Sequence, residues 1–298
     1  MRFVPVILVA LATVALADPK PTADPYAEEI QKWRDARVTR LKSDTGWLTV
    51  AGLFWLKDGE NAFGEDAKND IVLPAGRKSP ARAGSFVHAN GVTRVRALPG
   101  TPLVCRGKSV TEMVLRTDEH DSTDVLEMGP LRFFVIVRGS KHAIRMRDLE
   151  SPQRTGFTGI ESYDLNPAYR VAAHFEPYAP PKRVPVPNIV GIVDTMLSPG
   201  ALVFRIDGGF ARLDPVLESP DATQLWCIFS DATSGDETYP GGRFLYCDMP
   251  KEGVTTLDFN KAYNPPCAFT AFATCPLPPL QNDLSVAIRA GEKNYGHH

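Results

Sequence analysis

Leu131-Arg-Phe-Phe-Val-Ile-Val137 and Ala143-Ile-Arg-Met-Arg147 are two short apolar runs, and the residues between them, Arg138-Gly139-Ser140-Lys141-His142, suit a turn. Each run is shorter than an ordinary helix and rich in β-branched and aromatic side chains, so both read as strands. The same rhythm extends in both directions. Strand-like segments fall at 47–56, 71–73, 92–98 and 169–175, and again at 189–193, 201–206, 224–229, 242–247 and 254–259, with turn residues every ten or so positions. That spacing predicts a sandwich or barrel. No alternation of strands with long helical patterns is present, which excludes a doubly wound sheet.

One segment breaks the rhythm. Asp24 is a natural N-cap with Pro25 behind it, Glu28 and Glu29 suit the positive helix start, and Arg37, Arg40 and Lys42 suit its end. Tyr26, Ile30, Trp33 and Leu41 fall along one face of this predicted helix and dock it on the body. The 298 residues include 26 prolines and 23 glycines, and the proline share, well above the usual ~5%, disfavours further long helices. Pro177, Pro180, Pro181, Pro185 and Pro187 mark an extended connection between two β units. The expected organisation is a signal segment over 1–17, a helical segment over 18–45, a sandwich-like unit over 46–176 and a second β unit over 177–298.

Met1 and Arg2 precede an apolar run from Phe3 that closes on Ala15-Leu16-Ala17, after which Asp18-Pro-Lys-Pro-Thr22 is polar. One charge, an apolar stretch and a small-x-small ending predict a secretory signal cut after Ala17. The run is shorter than the ~20 residues a spanning helix needs, so no membrane span is expected in the mature chain. Lys and Arg total 33 against 35 Asp and Glu. Without Arg2 the mature chain is near −3, which argues against a nucleic-acid partner. Export permits disulfides among Cys105, Cys227, Cys247, Cys267 and Cys275, and an odd count leaves at least one unpaired. Cys227 and Cys247 can face each other across a hairpin, and Cys267 and Cys275 can close a small loop; buried thiols are the alternative for both.

Motifs exclude several enzyme classes. Gly100 and Gly107 are separated by six residues where a phosphate loop needs four, so the stretch to Ser109 reads as a β-turn. No Gly-x-Ser-x-Gly elbow occurs, and His88, His120, His142, His174, His297 and His298 lack metal-binding spacing. No metal site is expected, and the sequence names no cofactor. Phe63-Gly64 with Asn69-Asp70-Ile71-Val72-Leu73 resembles the opening strands of forkhead-associated domains, β-sandwiches that bind phosphothreonine. Where that family places a phosphate-holding Arg after Phe-Gly, this chain has Glu65, so the resemblance implies the sandwich and not the phosphopeptide activity.

The richest polar region runs from Asp231 to Glu292. Asp258 and Asn260, two apart in an expected strand, project to one face. Asp231, Asp258 or Glu292 can serve as acid or base where burial or a neighbouring charge tunes it, and Arg243 can hold an anionic group. Thr233, Tyr239, Asn260 and Asn264 complete the candidate binding set, and Cys267 is a candidate nucleophile without a local His. Together with Gly46-Trp47-Leu48, Ala51-Gly52-Leu53-Phe54-Trp55-Leu56, and Arg138-Gly139 with Arg145, this block resembles the uncharacterised, largely bacterial family catalogued as domain of unknown function 1684. Its most specific part runs from Asp258-Phe259-Asn260 to Cys275-Pro-Leu-Pro-Pro279, and the likeness extends over nearly the whole mature chain. That family implies no activity or cofactor. The expected function is binding of a small ligand at a polar site in this block, with a carboxylate hydrolase or a structural envelope module as the alternatives.

Overall fold

The computed structural model describes residues 24–120 and 122–296. The expected signal segment and the tail residues His297 and His298 lie outside the described residues. The chain is mostly β. Helix α1 (Pro25–Lys42) starts where Asp24 accepts a hydrogen bond from the Tyr26 backbone amide at 3.0 Å, and it buries Ile30, Arg37 and Leu41. Ile30 and Leu41 belong to the expected apolar face. Arg37 does not, and its burial ties the helix to the far end of the chain.

The first half supplies β1 (Val50–Trp55), β2 (Gly59–Gly64), β3 (Ile71–Val72), β4 (Gly84–Ala89), β5 (Val92–Ala97) and β6 (Val104–Cys105). It continues with β7 (Lys108–Ser109), β8 (Glu112–Leu115), β9 (Leu126–Met128), β10 (Leu131–Arg138) and β11 (Lys141–Asp148). They form a six-stranded sheet in the order β1-β11-β10-β9-β6-β7 and a five-stranded sheet in the order β3-β2-β4-β5-β8. One core joins the two faces: the Phe63 and Phe86 rings lie 4.8 Å apart on one sheet, and Phe133 from the other meets them at 6.1 and 6.4 Å. This is the expected sandwich. The stretch read as a turn rather than a phosphate loop is the β6–β7 hairpin. Arg106 and Gly107 both take positive φ there, as a two-residue hairpin turn requires.

After a short helix α2 (Pro152–Thr155), the second half supplies β12 (Arg170–Pro187), β13 (Val193–Ile206), β14 (Gly209–Leu213), β15 (Gln224–Asp231), β16 (Arg243–Asp248), β17 (Val254–Asp258) and β18 (Asp283–Leu284). These make a four-stranded sheet, β14-β13-β12-β17, facing a three-stranded one, β16-β15-β18. Ala173, Leu202 and Phe204 of the first pack against Leu225, Phe229 and Leu245 of the second.

Three expectations change. The proline-rich stretch is no connection, because β12 spans it and the boundary expected at 176/177, with its pairing to β13 interrupted between Pro177 and Lys182. Proline is tolerated there because β17 pairs only with 170–174, which leaves the rest of β12 an edge on that side. The expected strand at 189–193 is a turn instead: the Asn188 side chain accepts from the amides of Val190 at 3.1 Å and Ile192 at 2.9 Å, and Gly191 takes a positive φ. Phe259 and Asn260 leave the strand for a 3-10 turn, Phe259–Lys261, which Asp258 caps.

Candidate functional site

The polar residues of the carboxy-terminal block form three separate clusters, each tied internally. In the first, Asp231 and Arg243 make an ion pair at 2.7 Å with both side chains fully buried. Asp231 Oδ1 also accepts from the Thr233 amide at 2.9 Å, the Thr233 hydroxyl at 2.6 Å and the Ile288 amide at 3.2 Å. Arg243 donates onward to the carbonyls of Ala290 and Ile288. An arginine so enclosed cannot hold an external anion, which corrects the role expected of Arg243. Asp231, with both oxygens occupied, has none left for acid or base work.

The second cluster seats the helix. Glu292 accepts from Arg37 Nε at 3.0 Å and from the Asn264 amide at 2.7 Å, while Arg37 also donates to the Asn264 carbonyl at 2.8 Å. Glu292 is therefore an anchor for α1 and not a free carboxylate. Asn264 is fully buried and its side-chain amide donates to the Lys293 carbonyl at 2.7 Å, so it too faces inward. In the third cluster, Asp258 Oδ1 accepts from the Tyr26 hydroxyl at 2.8 Å and from the Asn260 side chain at 3.2 Å. The two side chains do meet, but through the capped 3-10 turn rather than a shared strand face. Asn260 also binds both the amide and the carbonyl of Asn166, at 3.1 and 2.9 Å, which places it inside the fold.

All five cysteines are free and buried. Cys227 stands opposite Leu245 and Cys247 opposite Leu225, so the two thiols are diagonal neighbours on the core face of the β15–β16 hairpin. Cys267 donates its backbone amide to Cys275 Sγ at 3.0 Å. Burial pushes the Cys275 thiol well up, and the Cys275 thiol in turn holds Cys267 below its ordinary value. Tyr239 is half-buried against this pair.

A separate open volume lies beside the helix. A cleft of about 450 Å³ runs between the two β units, beside α1. Alternation along β15 and β16 builds one wall: Leu225, Cys227, Leu245 and Cys247 turn to the core, so Trp226, Phe244 and Tyr246 turn to the cleft. Trp226 and Tyr246 stack at 6.0 Å, and Tyr263 continues the stack at 6.3 Å. Trp47 and Arg138, from the first half of the chain, line the other side with Thr274 and Cys275. Glu218, at the rim, lies against the Tyr246 hydroxyl and together with burial keeps it protonated.

Beside this cleft two buried nitrogens, Trp226 Nε1 and Arg145 Nε, have no hydrogen-bond partner among the described residues. The Trp226 indole is nine-tenths buried, and its N–H has no acceptor. Arg145, 4% exposed, donates to the Thr274 hydroxyl at 3.3 Å, lies 5.3 Å from the Trp47 ring, and makes no ion pair among the described residues. Burial, reinforced by the neighbouring Arg138, pushes Arg145 down to about 10. Reading by residue type missed Trp226, Tyr246 and Tyr263, since aromatic residues in strands read as core. The period-two alternation through 225–229 and 243–247 was the signal that could have found the first two. No group of histidine, cysteine and carboxylate side chains able to hold a metal occurs among the described residues, and no described helix is long and apolar enough to cross a membrane.

No curated protein matches the chain. Among solved structures, an FHA domain studied for phosphothreonine-dependent interactions is 17% identical, with a TM-score of 0.23, over 32% of this chain and 92% of its own length. An uncharacterized protein from gene locus rrnAC0354 of Haloarcula marismortui, solved by solution NMR, is 32% identical with a TM-score of 0.41 and covers 49% of this chain and 81% of its own. The family profile described as "Protein of unknown function (DUF1684)" matches residues 155–293, a span that holds the carboxy-terminal members of all three polar clusters and excludes Tyr26, Arg37, Gly46 to Leu56 and Arg138 to Arg145. Through that span, the chain belongs to the DUF1684 family.

Proposed function

We propose that this is an exported protein that binds a small organic anion with a flat apolar body in the cleft between its β units. Export rests on the amino-terminal sequence, with its single charge, apolar run and Ala15-Leu16-Ala17 ending. The observation that carries the ligand reading is the unpartnered Trp226 N–H at the cleft wall. A buried donor without an acceptor costs about 1–3 kcal/mol, which a ligand oxygen in the cleft would recover. Aromatic faces from Trp47, Trp226, Tyr246 and Tyr263 suit a flat body. Of the arginines here, Arg37 is paired with Glu292 and Arg138 with Asp118, while Arg145, close to the lining residues Thr274 and Trp47, has no ion pair among the described residues, and its charge favours an anion.

Titration with 2-naphthoate, followed by calorimetry and tryptophan fluorescence, tests the reading. Saturable binding weakened about tenfold by Trp226→Phe, which deletes the N–H and keeps a ring, is the expected result. Absence of saturable binding, or equal affinity in that variant, would overturn it.

A further inference from the structure

A second cavity, of about 420 Å³, opens on the other side of Tyr246 and Tyr263, which line both. Its lining includes a carboxylate oxygen, Asp258 Oδ2, that has a loose ion pair with Lys261 but no hydrogen-bond partner among the described residues. Asp258 is 7% exposed, and while its Oδ1 accepts from Tyr26 and Asn260, its Oδ2 has no hydrogen-bond partner. Lys261 Nζ stands 3.9 Å away, beyond hydrogen-bond reach, and is bound instead to Glu29. A buried carboxylate oxygen left in this state favours any O–H or N–H donor that can enter the groove.

The rest of the lining narrows the donor's chemistry. Arg40, Arg170 and Lys261 are matched in number by Glu29, Asp248 and Asp258, so the groove offers donors and acceptors side by side without a net field. That balance disfavours a polyanion such as a nucleotide and suits a neutral molecule carrying many hydroxyls. Trp33 adds a third aromatic ring, 6.3 Å from Tyr263 and inclined at 54° to it. Ring faces of this kind pack against the apolar C–H face of a pyranose while its hydroxyls reach the polar rim. We infer that this groove is a binding site for a neutral pyranose sugar, with Asp258 Oδ2 accepting a ring hydroxyl and Trp33 supplying a stacking face. The site is distinct from the cleft and does not depend on the anion reading.

The test uses the full mature chain with N-acetylglucosamine and glucose, each as the free sugar and as its β-1,4-linked tetramer. Saturation-transfer NMR identifies the protons in contact and calorimetry gives affinity. The expected result is saturable binding of at least one of these probes, with the strongest transfer to ring C–H protons. Trp33→Ala and Asp258→Asn should each weaken it about tenfold. Arg138→Gln, which alters the cleft, should leave sugar affinity unchanged while weakening 2-naphthoate, so the two readings fail separately. Asp258 also caps a turn; if its variant does not fold, Trp33→Ala, on the helix surface, decides alone. No saturable binding by any of the four probes, or binding that Trp33→Ala leaves intact, overturns the inference.

Discussion

Arg243 and Arg145 are both buried arginines, 1% and 4% exposed, and they stand in opposite electrostatic situations. Arg243 meets a carboxylate and two backbone carbonyls within one enclosed cluster; Arg145 meets a threonine hydroxyl and the face of a tryptophan. Each has an Nε without a hydrogen-bond partner among the described residues, but the first arginine has a carboxylate as countercharge and the second, beside a cleft, has no ion pair among the described residues. Residue type alone cannot separate them. The difference lies in whether the fold supplies partners, and unmet valence, not polarity, is what marks a surface prepared for a ligand.

The sharpest way to break this comparison is to remove one partner from each side. Asp231→Asn strands a fully buried guanidinium and should cost roughly 3–5 kcal/mol, read from urea unfolding; a loss below about 1 kcal/mol would mean that the network is not closed. Glu292→Gln removes the charge that seats Arg37 and should cost about 2 kcal/mol, with proteolysis beginning inside α1. Cleavage elsewhere would show that the helix is held by its apolar face alone.

Arg145→Met should behave differently. With no ion pair to lose and a desolvated charge removed, stability should change by less than about 1 kcal/mol or rise, while affinity for 2-naphthoate falls. A large destabilisation would make Arg145 a second Arg243. The smallest effect concerns His88, whose pKa is lowered from 6.5 by burial and then by the neighbouring His142, with Asp58 opposing. Below its unfolded value the unfolded chain takes up more protons than the folded one, so stability present above pH 6.5 is lost as pH falls through the folded value. Urea midpoints compared between about pH 8 and about pH 5.5 should drop less in His88→Phe than in the parent; equal drops would place the titration elsewhere.

Much of the fold was legible because strand alternation and turn chemistry are local. The 131–147 hairpin, the Arg106-Gly107 turn and the Asp24 cap all follow from neighbours within a few residues. The prolines of β12 misled because their tolerance depends on which side of a strand lacks a partner, a tertiary fact. The polar block misled for a related reason. Asp231, Arg243 and Glu292 are the residue types chemistry uses, and the contacts that commit them to structure come from Ile288, Ala290 and Arg37, some far along the chain. Arg145 and Trp226 carried no local sign of being unpartnered, since a missing contact leaves no trace in sequence.

The bond between Arg37 and Glu292 closes a loop of 255 residues. Part of the seat of α1 is local, since Leu41 packs with Leu48 and Phe157, and part of it, Asn264 and Glu292, comes from far along the chain. Closing a loop of that span carries an entropic cost, which the buried ion pair and the apolar contacts of the helix together offset. A chain ending shortly before Glu292 would keep its sandwich sequence intact and still lack the ion pair that seats α1.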